Sequence, residues 1–433
     1  MRRISVLALL LPMLVVAAAA APMPRASAQQ GGVTVVSEEP RNEFPSGVSF
    51  ALAFTSAAEA KEVRIRYTLA PDGTGASGIA TCTAGATTSC TYTLTTGRGI
   101  LVIPGAEITY HWDITDAAGA TTSTPDRLYV HEDTRFTFKT LKRDNITLYY
   151  HSGTDSHAQA VLDATAETLE RVSVLEKTQV TFPVKVFLYD TADEMQPAIA
   201  PGGQGRGVQV LGEVVYSDTA MVSADVATLD ITRHEIAHIV TRQATKGPFG
   251  VPGWLNEGIS VFSQARPLSG HAGALQSAID NDRVLSMKEL NSSATGSSNS
   301  TVGLYYGQAG SIVKHLVETY GADKFAELLK TFKDGSTVDK AFQAVYGFDQ
   351  FGLENEWRDS VGLAQREPSA TAAPLATETS AGTTPAPSAT ATSSTSSSSD
   401  GGASTVTIAV IVGLMVLVVV AAVGALLVVR RRI

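Results

Sequence analysis

Hydrophobic and polar positions change rhythm along this chain. Between Gly32 and about Glu132, short apolar–polar alternations are broken by Gly, Pro, Asp and Asn. They predict strands at "GVTVVSEEP", "GVSFALAFTS", "EVRIRYTL", "CTYTLTT", "GILVIP", "EITYHWDITDAAG" and "DRLYVHED". Short antiparallel strands at this spacing predict a β-sandwich of immunoglobulin or fibronectin type over residues 32–132. Tyr110 and Trp112 share one strand face and read as core. Such a module spaces, orients or binds, and nothing in it looks catalytic.

From about Arg135 to Leu363 the period lengthens. A strand at "ITLYYHS" leads into a helical run, "SHAQAVLDATAETLERVSVLEKT". Strand "PVKVFLYD", a short helix at "TADEMQPA" and an edge hairpin over Gly207–Ala224 follow, and helices dominate afterwards. A small sheet followed by a helical half is an α+β domain, here residues 135–363.

The two ends are apolar for other reasons. Met1-Arg2-Arg3, the run "ISVLALLLPMLVVAAAAA" and the small-x-small site Ala26-Ser27-Ala28 predict a signal peptide over residues 1–28. Residues 364–404 are mostly Ser, Thr, Ala, Pro and Gly, which cannot bury enough apolar area to fold and read as a disordered stalk. Thr405–Val429 carries no charge. As a helix it is roughly 37 Å long, enough to cross a bilayer. The cluster Arg430-Arg431-Arg432 in the tail, residues 430–433, is expected on the cytoplasmic side. The expectation is a single-pass type I protein of the cell membrane, its ectodomain outside.

Composition matters once the ends are set aside. Of the 433 residues, 44% are hydrophobic and 17% charged. Removing the six arginines outside the ectodomain (Arg2, Arg3, Arg25, Arg430, Arg431 and Arg432) takes the formal charge from −9 to −15. An acidic ectodomain without basic clusters argues against nucleic acid as a partner. Cys82 and Cys90, with seven residues between them, are expected to form a structural disulfide outside the cell.

The chemistry concentrates in "ITRHEIAHIV" (Ile231–Val240) and "GWLNEGIS" (Gly253–Ser260). His234 and His238 stand four apart, so on a helix they share a face. The pattern His-Glu-x-x-His alone is weak, since a solvent-facing amphipathic helix can carry it by chance. Glu257 follows His238 after 18 residues, flanked by Trp254, Leu255, Ile259 and Phe262 at helical spacing. A second helix packed on the first would aim its carboxylate at the histidines.

"HEIAH", 18 residues, then "WLNEG" resembles the gluzincin metallopeptidases, in particular peptidase MA-like domains related to the aminopeptidase N family. The resemblance covers roughly Asn145 to Leu363. It implies Zn2+ held by His234, His238 and Glu257, with Glu235 as general base. "LYYGQAGSIVKHLVETYG" (Leu304–Gly321) resembles the aminopeptidase segment built on Tyr-x-Lys-Gly-Ala, which implies Tyr306 as the catalytic tyrosine. Gln308 replaces the lysine, and Tyr305 is the alternative if the register shifts by one. Three features depart from that family. Gly207–Ala224 contains no Gly-x-Met-Glu-Asn segment, and Glu213 is a poor substitute for its amine-gripping glutamate. The large helical domain that closes over the aminopeptidase site is missing. Gln264 stands where an acidic residue is common seven positions after the glutamate ligand.

Packing or surface roles are the default for His111, His131, His151 and His157. His271 and His315 follow the metal helix and could visit the site. The loop Asn291–Thr301, just before Tyr306, reads as a flap or a linker. The expected function is a membrane-anchored extracellular zinc peptidase acting on peptides or proteins. The alternatives are a surface binding or adhesion protein on an idle gluzincin fold, and a zinc hydrolase of another bond. Oligomeric state is left open.

Overall fold

The computed structural model describes residues 29–30, 32–71, 73–97, 102–199, 210–292 and 299–367. Its first part is a pair of antiparallel sheets. One contains β1 (Gln29–Gln30), β2 (Val33–Asn42), β3 (Gly47–Ser56), and, after strands of the other sheet, β6 (Thr81–Thr83) and β7 (Thr88–Thr95). The other contains β4 (Ala60–Ala70), β5 (Thr74–Ile79), β8 (Glu107–Asp116), β9 (Thr121–Ser123) and β10 (Arg127–Val130). The strand orders are β1-β2-β3-β7-β6 and β10-β8-β4-β5, with β9 on β8.

Alternation explains the core between the sheets. Val48, Phe50, Leu52 and Phe54 of β3 point inward, as do Ile108, Tyr110, Trp112 and Ile114 of β8. The Phe50 and Tyr110 rings meet at 4.6 Å between centroids. Cys82 and Cys90 lie directly opposite each other on β6 and β7 and form the expected disulfide. The segment "GILVIP" departs from expectation: its described part, Val102–Pro104, is not a strand. Its apolar residues divide instead, Val102 entering the sandwich core and Ile103 leaving it for a second cluster.

That second cluster explains how the α+β half is covered. Its sheet consists of β11 (Lys139–Arg143), β12 (Ile146–Tyr150), β13 (Val184–Tyr189), β14 (Gly212–Tyr216) and β15 (Thr219–Ser223), in the order β11-β12-β13-β15-β14. The inner pairs are parallel and both outer pairs antiparallel. Parallel neighbours need a crossover between them. The helix α1 (Asp155–Glu176) supplies one, and α2 (Ala192–Ile199) lies in the next connection. The sheet is followed by α3 (Thr228–Ala244), α4 (Gly253–Phe262), α5 (Ser269–Asp280), α6 (Met287–Leu290), α7 (Asn299–Lys333), α8 (Val338–Tyr346) and α9 (Gln350–Ser360). α7 breaks at Gly321, whose φ of 86° and ψ of 158° are not helical.

A sheet with a parallel centre needs both faces covered. One face packs Leu148, Val186 and Val222 against Val161 and Val172 of α1 and Ile236 and Val240 of α3. On the other, Phe187, Tyr189 and Met221 meet Ile103 and Ala106 from the sandwich. Lys185 Nζ donates to the Gly105 carbonyl at 3.0 Å and to Glu107 Oε1 at 2.6 Å across this seam. The buried Asp133 accepts from Arg135 and, at 3.2 Å, from the Tyr189 hydroxyl. The sandwich therefore serves as a covering layer for the sheet.

Among the described residues no helix is long and apolar enough to cross a membrane. The expected signal peptide, the stalk beyond residue 367, the span over 405–429 and the tail lie outside the described residues. Ile103 is fully buried at the seam. Ile103→Ala should cost about 2–5 kcal/mol of stability, measured as a lower denaturant midpoint with unchanged far-UV circular dichroism. An unmoved midpoint would show that the seam does not stabilise the fold.

Candidate metal centre

The site begins with the two-sided character of α3. Ile231, Ile236, Ile239 and Val240 are buried on the sheet side. His234, Glu235 and His238 are buried too, although polar, because α4 and β14 close over them. α4 starts after Pro252 and buries Trp254, Leu255 and Ile259 in the helical core. That orientation turns Glu257 back toward α3. α7 then crosses α4 at close range: a Cβ on Gly258 would stand 2.5 Å from the Ala309 carbonyl oxygen. The glycine of "WLNEG" permits this approach.

The result is a convergent triad. His234 Nε2 lies 3.1 Å from Glu257 Oε2, and His238 Nε2 lies 3.6 Å from the same oxygen. One donor atom from each of the three residues lies within 4.8 Å of the other two. A tetrahedral zinc with ligand bonds of ~2.0–2.2 Å needs its donors about 3.3–3.6 Å apart. The donor set of two imidazoles and a carboxylate is also a zinc set. His238 Nε2 is buried, while its Nδ1 lies 3.0 Å from Ser260 Oγ. Ser260 thereby fixes the ring and leaves Nε2 facing the triad. These residues fit a zinc ion.

Burial sets the charge states. It depresses the His234 imidazole to about 3 and that of His238 to about 4, so both rings are neutral near pH 7 with a lone pair to offer. Burial raises the Glu257 carboxyl, and His238 partly opposes this. Glu235 is pushed well above the usual carboxylate range by burial, then by the charges of Glu257 and Glu213. A hydrogen bond from the Val214 backbone works the other way. β14 runs so close above Glu235 that a Cβ on Gly212 would stand 2.8 Å from its Oε1.

Tyr306 rather than Tyr305 stands against the triad. Its ring centroid is 6.0 Å from that of His234. The Tyr305 hydroxyl instead lies at the start of α4, 3.5 Å from where a Cβ on Gly253 would be. Gln308 serves structure: its Oε1 accepts from the Leu285 amide at 2.8 Å and its Nε2 donates to the Leu285 carbonyl at 2.7 Å. Gln264 is buried and bonds neither histidine. By strand alternation Glu213, paired with Met221, lies on the sheet face opposite the one Gly212 turns toward α3.

Other histidines divide clearly. His315 contacts Thr319 and Tyr320, outside the triad. His111 lies between Asp113 and Asp126 on the sandwich, and burial depresses His131, in its aromatic surroundings, to about 4. His151 stacks on Phe136, and the His157 amide donates to Thr154 at the start of α1. His271 is different: its buried ring stacks on Tyr306 at 5.1 Å and 11°. Spacing offers no signal for this contact or for Ser260. Most of the expected flap, residues 293–298, lies outside the described residues.

Residues 163–362 match the family model described as the Peptidase MA superfamily. No curated protein matches this chain. Among solved structures, a mutant of an M1 zinc metallopeptidase from Deinococcus radiodurans is similar at 13% identity and a TM-score of 0.37, over 78% of this chain and 96% of its own. Legionella pneumophila aminopeptidase A, in complex with aspartic acid, is similar at 9% identity and a TM-score of 0.33, over 76% of this chain and 50% of its own. The stretch 163–362 that matches the Peptidase MA superfamily model contains α3, α4, α7 and the whole triad.

Proposed function

We propose that this chain is a zinc-dependent peptidase acting at the His234–His238–Glu257 centre. One observation carries the reading: two buried imidazole nitrogens converge on one buried carboxylate oxygen, with a second carboxylate, Glu235, beside them on α3. His234, His238 and Glu257 would hold the ion. Bound there, zinc supplies Lewis acidity toward a carbonyl and lowers the pKa of water to ~7. Glu235, whose proton affinity burial raises, takes the proton of the attacking water and passes it to the leaving amine. Tyr306 donates a hydrogen bond to the oxyanion that develops as the carbonyl is attacked.

Among the described residues β14 is the last strand of its sheet, and it borders Glu235, so its outer edge suits a substrate lying as an added strand. The placement of Glu213 on the far face supports cleavage within a chain over trimming anchored on a free amine. The same observation favours the second reading, a surface binding protein that holds a metal without turnover. The uncharged run Thr405–Val429 ahead of three arginines supports an ectodomain held on the outer face of a membrane.

Glu235→Gln should leave zinc stoichiometric by metal analysis and abolish cleavage of a peptide library. Hydrolysis surviving in that variant would remove Glu235 as the base. Wild-type ectodomain that holds zinc yet cleaves nothing would establish the second reading. Tyr306→Phe should lower kcat by about 10²–10³ with KM little changed. Ser260→Ala should weaken zinc affinity by about 10–100-fold, measured by competition with a chelator. Unaltered affinity would mean that the 3.0 Å contact to His238 does not orient the ring.

A further inference from the structure

We propose that His271 is a positioning residue for Tyr306, an inference that rests on the reading of Tyr306 as oxyanion donor. His271 sits in the first turn of α5, far from "HEIAH" and "WLNEG" in sequence, yet its ring lies almost parallel to that of Tyr306. Centroids 5.1 Å apart at 11° describe an offset stack, the arrangement aromatic rings prefer. Two further rings near Tyr306 meet it at steep angles: His234 at 60° and Tyr305 at 85°. His271 thus supports the flat face of the phenol, while His234 and Tyr305 bound its edges.

The backbone enforces this contact. α5 and α7 approach so closely that a Cβ on Gly307 would stand 2.4 Å from the His271 carbonyl oxygen. One turn earlier, a Cβ on Gly303 would lie 3.4 Å from the Gly270 carbonyl oxygen. The residue beside Tyr306 therefore has no side chain because the His271 backbone occupies its place. Both rings are buried, so solvent does not compete for the stack. A hydrogen-bond donor to a transition state must be held within a narrow range of positions, and the stack removes the ring's freedom to tilt.

The test replaces His271 with two side chains that fill the space differently. His271→Leu keeps bulk and removes the stack; His271→Phe keeps a flat ring and removes the imidazole. In the leucine variant kcat should fall by about 10–100-fold, with KM and bound zinc unchanged. The phenylalanine variant should retain most of wild-type kcat. In a Tyr306→Phe background the leucine change should add no further loss, since both substitutions act through one hydroxyl. A second readout is independent of turnover. In protein carrying 13C-labelled tyrosine rings, the Tyr306 signals, assigned by their loss in Tyr306→Phe, should shift in His271→Leu and stay near wild type in His271→Phe. Equal losses from leucine with and without the Tyr306 hydroxyl would overturn the proposal. So would a phenylalanine variant as impaired as the leucine one, or Tyr306 signals indifferent to leucine. Wild-type kcat in Tyr306→Phe alone would instead sink the oxyanion role, and the ring signals would still decide whether His271 holds Tyr306.

Discussion

A carboxylate can join two imidazoles from another helix only if the two helices meet almost backbone to backbone. The triad depends on this constraint. His234 and His238 are brought together by one turn of α3, but Glu257 reaches them because α4 is pressed between α3 and α7. The absent side chain at Gly258 lets the Ala309 carbonyl come close enough to complete that wedge. Tyr306 lies one turn before Gly310 on the same α7 segment, so the crossing that aims the glutamate also carries the tyrosine to the site.

The same closeness creates an electrostatic cost. Glu235 and Glu257 are buried with two neutral histidines, and burial is the largest cause holding both carboxyls above their ordinary range. Glu213 adds a further negative influence on Glu235. A divalent cation reverses this balance, since it favours the ionised ligand and neutral imidazoles at once. The Val214 amide bonds Glu235, and the Ser260 hydroxyl lies 3.0 Å from His238 Nδ1.

The sandwich enters this arrangement through the sheet. Parallel strands at the centre leave two apolar faces; α1 and α3 cover one, and α2 covers part of the other through Met195, Ala198 and Ile199. Ile103 and Ala106 join α2 in closing that second face against Phe187, Tyr189 and Met221. β15, whose Met221 lies in this seam, pairs with β14 beside Glu235, so the covering layer supports the strand that borders the site.

Local periodicity made much of this legible. The strands of β3, β4 and β8 bury alternate side chains, so their pattern shows in the residues themselves. His234 and His238 share a helical face by spacing alone, and the apolar positions around Glu257 announce a second helix. Other features have no such trace. β11, "KTLKR", is polar and owes its place to backbone pairing with β12, while β5, "TGASGI", offers no alternation to read. Val102 and Ile103 looked like a strand because burial at a seam requires the same apolar residues. The approach of the Tyr306 ring to His234, the contact of Ser260 with His238 and the stack of His271 arise only from the packing of α3, α4, α5 and α7. Chemistry along one helix turn is written in the order of residues; chemistry between helices depends on how closely their backbones approach.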